Sequence, residues 1–318
     1  MPIESTSSDR ALLAGVARRF YLQDQSKIEI GRELGLSRFK VARLLDAARA
    51  RGIVRIDILG EPQVDYRLSE RLAEQLGLAA AVVVRPDTEQ TVQELRRDIG
   101  AMAARELTRI VTERDVLGLP WSRTVSATVA ALEQLPRVPV VQLSGALAIP
   151  DVETPVDVVR SAANLSHGTA HHFYAPLVAA DADSAHMLRR QPGVADALDR
   201  VPDVTVAVVG VGGWASGEST LYDLATPAER DAMTTAGAIG EISGVFIDAG
   251  GNPVDGDLAD RIITLSADQL RGIPDVIGLV LGAPRADVVR AAVRGGYVNR
   301  LVVDRPLAEA LLHELPTR

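Results

Sequence analysis

The sequence predicts an α/β protein in two parts: an N-terminal all-α, winged helix-turn-helix domain over residues 1–60, and a doubly wound, mostly parallel sheet domain over residues 61–318. Three observations predict it. Two short helical patterns flank Gly35-Leu36-Ser37, Val/Leu/Ile-rich runs alternate with helical segments from Ala80 onward, and the two parts carry opposite charge. Residues 1–60 hold 11 Lys+Arg against 7 Asp+Glu, a charge of +4, and the remainder holds 23 against 35, a charge of −12, within a net −8. Positive charge gathered at one end is expected where only that end meets a polyanion, which the acidic remainder would face away from.

A chain of 318 residues fits a small module plus one large core. Cysteine is absent, which removes disulfides and thiolate metal sites and suits a reducing cytoplasm. The first ten residues are polar, and no run approaches the roughly 18 apolar residues of a membrane helix, so neither secretion nor a membrane partner is expected.

In chain order, Asp9 to Tyr21 forms a supporting helix through Leu12, Leu13, Val16, Ala17 and Phe20. The next helix starts near Lys27 and turns Ile28, Ile30 and Leu34 inward, with Gly31 where a crossing helix leaves little room. Ser37 caps the helix after it, whose apolar residues Val41, Leu44, Leu45 and Ala48 recur at helical spacing. Arg38, Phe39, Lys40 and Arg43 remain on the outer side, with Arg49, Arg51 and Arg55 nearby. An exposed, cationic first turn is what a recognition helix needs, so Lys27, Ser37, Arg38, Phe39, Lys40 and Arg43 are the candidate contacts to double-stranded operator DNA. A merely solvated basic face is the plainer reading, against which the charge asymmetry weighs. Gly52 to Ile58 reads as a short strand or wing and Gly60-Glu61-Pro62 as the domain boundary. Tyr66, Leu68, Leu72 and Leu76 mark an amphipathic helix, a lever between domains or an oligomer contact.

Strands are expected at Ala80–Val84, Val116–Leu119, Val138–Leu143, Val204–Val209, Val276–Leu281 and Leu301–Val303, with Arg261–Leu265 another candidate. Apolar throughout, they read as parallel strands covered on both faces, whose ligands bind at their carboxyl ends. One end, Gly118-Leu119-Pro120-Trp121-Ser122-Arg123-Thr124, leads into a hydroxyl-rich helix start whose free N–H groups suit an anion or polar hydroxyls, although Ser and Thr also cap helices that bind nothing.

The run IGRELGLSRFKVARLLDAARARGIVRIDI resembles the helix-turn-helix of SorC-type bacterial transcriptional regulators, with its Ser-Arg start, Val-x-Arg-Leu-Leu run and closing Gly-Ile-Val-x-Ile. The likeness covers nearly the whole chain. It implies an effector domain similar in fold to ribose-phosphate isomerases and glucosamine-phosphate deaminases, and a sugar, polyol or sugar-phosphate effector. Gly118 to Thr124 is similar to that family's Gly-x-Gly-x-Thr phosphate loop, but Leu119-Pro120-Trp121 departs from it. By the same resemblance, Ser144 and Gly145, Gly212, Glu241 and Asp248 line the effector pocket, and Arg285 sits where relatives tend to carry a phosphate-reaching Lys.

The chain holds two lysines, Lys27 and Lys40, both in the first 60 residues, so a Schiff base in the second domain is excluded and Arg must serve any phosphate there. His167, His171 and His172 invite a metal reading but lack an adjacent carboxylate cluster, so core or pocket-lining roles and no cofactor are expected. Two functions from different classes remain: a ligand-responsive transcription factor, and a sugar-phosphate isomerase or deaminase with an accessory DNA-binding module. The first requires a homo-oligomer, because one helix-turn-helix offers too little surface for tight operator binding; the family resemblance implies a tetramer.

Overall fold

The computed structural model describes residues 7–54, 62–87, 90–147 and 153–313, with side chains from Arg10 onward. The chain divides into two compact units, Met1–Gly60 and Glu61–Arg318.

The first unit holds helices α1 (Ser7–Leu22), α2 (Lys27–Leu34) and α3 (Arg38–Ala50). Ser26 and Glu29 form a reciprocal cap at the start of α2, which Gly35 ends in the left-handed region at φ 66°. The Leu36 N–H then donates to the Gly31 carbonyl at 2.8 Å. A Cβ on Gly31 would lie 2.6 Å from the Leu36 carbonyl oxygen. Crowding at Gly31 thus comes from the turn after its own helix, not from the crossing helix expected. Leu13, Val16, Ala17, Ile30, Val41, Leu45 and Ala48 form the core. Ile28, expected inside, is 49% exposed, since two residues along a helix turn it about 200° away from Ile30. Ile53 and Val54 pack on this core; the rest of the expected wing, from Arg55, lies outside the described residues.

The second unit contains strands β1 (Gln63–Val64), β2 (Ala80–Arg85), β3 (Leu117–Leu119), β4 (Val140–Gln142), β5 (Ala170–His171), β6 (Val206–Gly213), β7 (Gly240–Ile242), β8 (Val245–Ile247), β9 (Asp275–Val280) and β10 (Arg300–Asp304). Their order is β1-β2-β10-β9-β6-β3-β4-β5, with β7 and β8 as a hairpin on the end of β6. Every pair along that order is parallel except β1 with β2, while the hairpin pairs antiparallel.

Strand side chains alternate between two cores, as period-two geometry requires. Val206 and Val208 face α5 (Val92–Ile110), α6 (Arg123–Ala130) and α7 (Pro155–Ser166), while Ala207 and Val209 share a core with α4 (Tyr66–Leu76) and the helices Ala286–Arg294 and Arg305–His313. The sheet is therefore doubly wound. Leu72 of α4 is fully buried in that second core and Tyr66 is 76% exposed, so one side of α4 covers a sheet face.

The expected strand at Arg261–Leu265 is absent. Ile262 and Thr264 make only single bridges, to Val178 and Ser144, because the segment packs across loops at the sheet's rim. From β3 the chain winds outward to β4 and β5, then returns with β6 on the other side of β3, opening a crevice at the carboxyl ends where the winding reverses.

Candidate functional site

In the first unit α3 carries Arg38, Phe39, Lys40 and Arg43 on its outer face, all exposed. Ser37 caps the helix, its Oγ accepting the Lys40 N–H at 3.2 Å. Lys27, at the start of α2, places its ammonium 5.5 Å from the Phe20 ring centroid. Arg49 pairs with Asp46 at 2.6 Å and is partly neutralised.

In the second unit a cavity of about 380 Å³ opens at the carboxyl ends of β3, β4, β6, β9 and β10, within the usual range for small-molecule sites. Gly210 of β6 lies close against Ser122 after β3, where a Cβ would sit 3.2 Å from the Ser122 Oγ. Ser122 caps α6, accepting the Val125 N–H at 3.0 Å, so the α6 amino terminus faces the cavity with Arg123 and Thr124. Trp121 and Ser144 form the adjacent wall, and the Trp121 N–H donates to the Ser144 Oγ at 3.2 Å. Two buried polar atoms of lining residues, Trp121 Nε1 and Ser243 Oγ, have no partner among the described residues.

Glu241 forms part of the cavity wall, accepting from the Ser219 hydroxyl at 2.9 Å and the Gly244 N–H at 2.8 Å. Burial pushes its carboxyl above the ordinary value, against those two bonds. Gly212 beside it leaves room for the carboxylate, since a Cβ there would approach Glu241 Oε1 to 2.9 Å. Asp304, at the end of β10, is also raised by burial, although the Gly282 and Leu307 N–H groups bond to it.

Three expected site residues lie elsewhere. Gly118 faces packing, where a Cβ would meet Val204 and Leu143; Gly145 is pressed against the Pro176 carbonyl. Asp248 sits at the open end of the β7–β8 hairpin and closes a turn, accepting the Asn252 N–H at 2.8 Å, the bond that chiefly lowers its pKa. Side chains hem in Gly118, backbone hems in Gly145, and Asp248 is engaged in its own turn, so none of the three is part of the cavity wall. Trp214 is likewise outside the lining; it packs edge-on to Tyr222 and Phe246 in a separate core. His167 is exposed, His171 and His172 are half-buried, and none of the three lines the cavity.

Arg285 does line it, but its guanidinium is committed: it donates to the carbonyls of Leu281 at 2.6 Å, Gly217 at 3.0 Å and Glu218 at 3.1 Å. Arg285 straps the loop after β6 to the end of β9. The cation the sequence reading missed is Arg96. Helices α5 and α6 run side by side with Gly100 against Ala127, where an added Cβ would lie 2.7 Å from the Ala127 carbonyl carbon. One turn earlier on each helix stand Arg96 and Arg123, which this contact brings together at the cavity. Desolvation foremost, then the charges of Arg123 and Arg285, lower the Arg96 pKa, so its cation is held there at an electrostatic cost. Neither Arg96 nor Arg123 is bonded to another described side chain. In sequence Arg96-Arg97 looks like any solvated helix face; only the α5–α6 contact distinguishes it.

The two units together define a DNA-binding regulator with an α/β effector-binding domain. Residues 61–313 match the family described as "Putative sugar-binding domain", and the chain belongs to that family. It is 29% identical over 315 residues to the transcriptional regulator LsrR of Klebsiella pneumoniae, covering 96% of this chain and 94% of that one. It is 27% identical to the sorbitol operon regulator of Klebsiella pneumoniae, covering 96% and 99%. Against the crystal structure of full-length SorC from Klebsiella pneumoniae the TM-score is 0.71 at 25% identity, covering 96% of this chain and all of the other. The chain is a SorC-type, sugar-responsive transcriptional regulator.

Proposed function

We propose that the strand-end cavity of residues 61–318 takes a sugar or polyol derivative bearing an anionic group such as phosphate, and that its occupancy changes operator binding by α3 in residues 1–60. The observation that carries this reading is the cluster of half-buried Arg96 and exposed Arg123 beside the α6 amino terminus: two like cations without a bonded partner among the described residues, the first partly desolvated, are stabilised by an anion. Ser144, Ser243 and Glu241 supply partners for hydroxyls on the same ligand. Calorimetry with paired phosphorylated and free sugars tests it; equal affinity within every pair would remove the anionic requirement.

Differential affinity of the effector for two arrangements of a homo-oligomer, dimer or tetramer, is the coupling mechanism. Light scattering with and without effector and operator measures the assembly. The reading is of a cytoplasmic binding protein without turnover, supported by relatives named as regulators and by a second domain without lysine. Steady conversion of any sugar phosphate by the pure protein would overturn it.

A further inference from the structure

We infer that Phe39 reads a thymine in the operator through the thymine C5-methyl group; this rests on the assignment of α3 as the DNA-reading helix. On a helix with about 100° per residue, Phe39 and Arg43 both lie about 160° from the fully buried Val41, on opposite sides of the outward direction. They form the crest of the exposed face, while Arg38 lies about 60° and Lys40 about 100° from Val41, on its two sides, and both are exposed in the open first turn. Phe39 is 77% exposed and occupies the crest's first turn, the part of a recognition helix that comes nearest the base edges.

An aromatic ring left in water at a helix start gains nothing from burial and is a weaker helix former than the surrounding Arg and Lys. It can neither donate to a phosphate nor accept from a base, so its position excludes the contacts its cationic neighbours make. The major-groove edges of base pairs carry one apolar group, the thymine methyl, and the positive charge of this unit brings the duplex to it. Arg38 and Arg43 reach acceptors and phosphates while Phe39 covers the methyl, giving a mixed polar and apolar reading within about one and a half turns.

The test selects bound duplexes from a random pool with the full-length protein, then replaces each thymine of the selected site by uracil, which removes only the methyl. At one thymine, uracil should weaken wild-type binding about fourfold, the scale of one buried methyl. Phe39→Ala should bind thymine and uracil duplexes equally, and Phe39→Leu should keep the difference. The uracil comparison needs no variant, and Phe39 is exposed, so folding does not confound it. Binding indifferent to uracil at every position, or a thymine preference that survives in Phe39→Ala, overturns the assignment while leaving α3 as the reading helix. Failure to select any sequence overturns the reading helix itself and Phe39 with it.

Discussion

The reading face of α3 and the strand-end cavity are assembled in opposite ways. Every residue on the α3 face comes from one short stretch, Ser37 to Arg43, and points outward because Val41 and Leu45 point inward. The cavity draws on turns after five strands that are far apart in the chain, together with a helix that precedes one of them. A contiguous site depends on one helix being held in place; a dispersed site depends on helix–helix and loop–loop contacts that no local pattern contains. Substitutions at the supports should therefore separate the two.

The largest expected effect is at Gly31. Gly31→Val should unfold the first unit, because its Cβ would overlap the Leu36 carbonyl with no flexible atom to move; a cost of about 3 kcal/mol or more is expected. Calorimetric melting should lose one transition, operator binding should vanish, and effector binding by the second unit should persist. Joint loss of both binding activities would show that the units do not fold independently.

Next in size are the charged contacts. Arg38→Ala should lower discrimination between operator and random duplex by about 1–3 kcal/mol, whereas Lys40→Ala should weaken both alike and flatten the salt dependence. Titration at two salt concentrations separates these outcomes. In the cavity, Arg96→Ala and Arg123→Ala should each cost an anionic effector about 1.5–3 kcal/mol and a neutral one less. Arg285→Ala should act differently, loosening the 217–218 loop, so its effect should appear with neutral and anionic ligands alike.

A smaller effect concerns pH. Burial raises Glu241, so the folded state holds that proton more tightly than the unfolded chain does. Its share of stability is fully present below the Glu reference value of 4.5 and is lost as pH rises from there through the raised folded value. Glu241→Gln should flatten that part of the stability curve in denaturant titrations run from acid to neutral pH. An unchanged slope would mean the carboxylate is already well solvated through the cavity mouth.

The smallest signal is optical. Effector binding should perturb Trp121, at the cavity wall with an indole N–H unpartnered among the described residues, and leave Trp214 silent in its aromatic cluster. A fluorescence change that survives in Trp121→Phe would move the ligand away from that wall.

The sequence by itself determined what periodicity and chain-local chemistry can carry: the helix-turn-helix with its Ser37 cap, the alternating strands and helices, and the outward set Arg38, Phe39, Lys40 and Arg43. It also sufficed for Trp121, Ser122, Arg123 and Thr124, since they follow β3 directly and a doubly wound sheet presents its strand ends to one crevice. Only the tertiary structure decided the rest. Gly118, Gly145 and Asp248 look like turn residues of a pocket, yet two are small because backbone or side chains press on them and the third closes a hairpin end. Arg96 enters the cavity only because Gly100 lets α5 lie against Ala127 of α6, a contact between residues 27 apart in sequence. Arg285 reaches the cavity but spends its donors on the carbonyls of Leu281, Gly217 and Glu218. Which atoms a long, cationic side chain meets is set by the packing of distant segments, and no spacing along the chain encodes that.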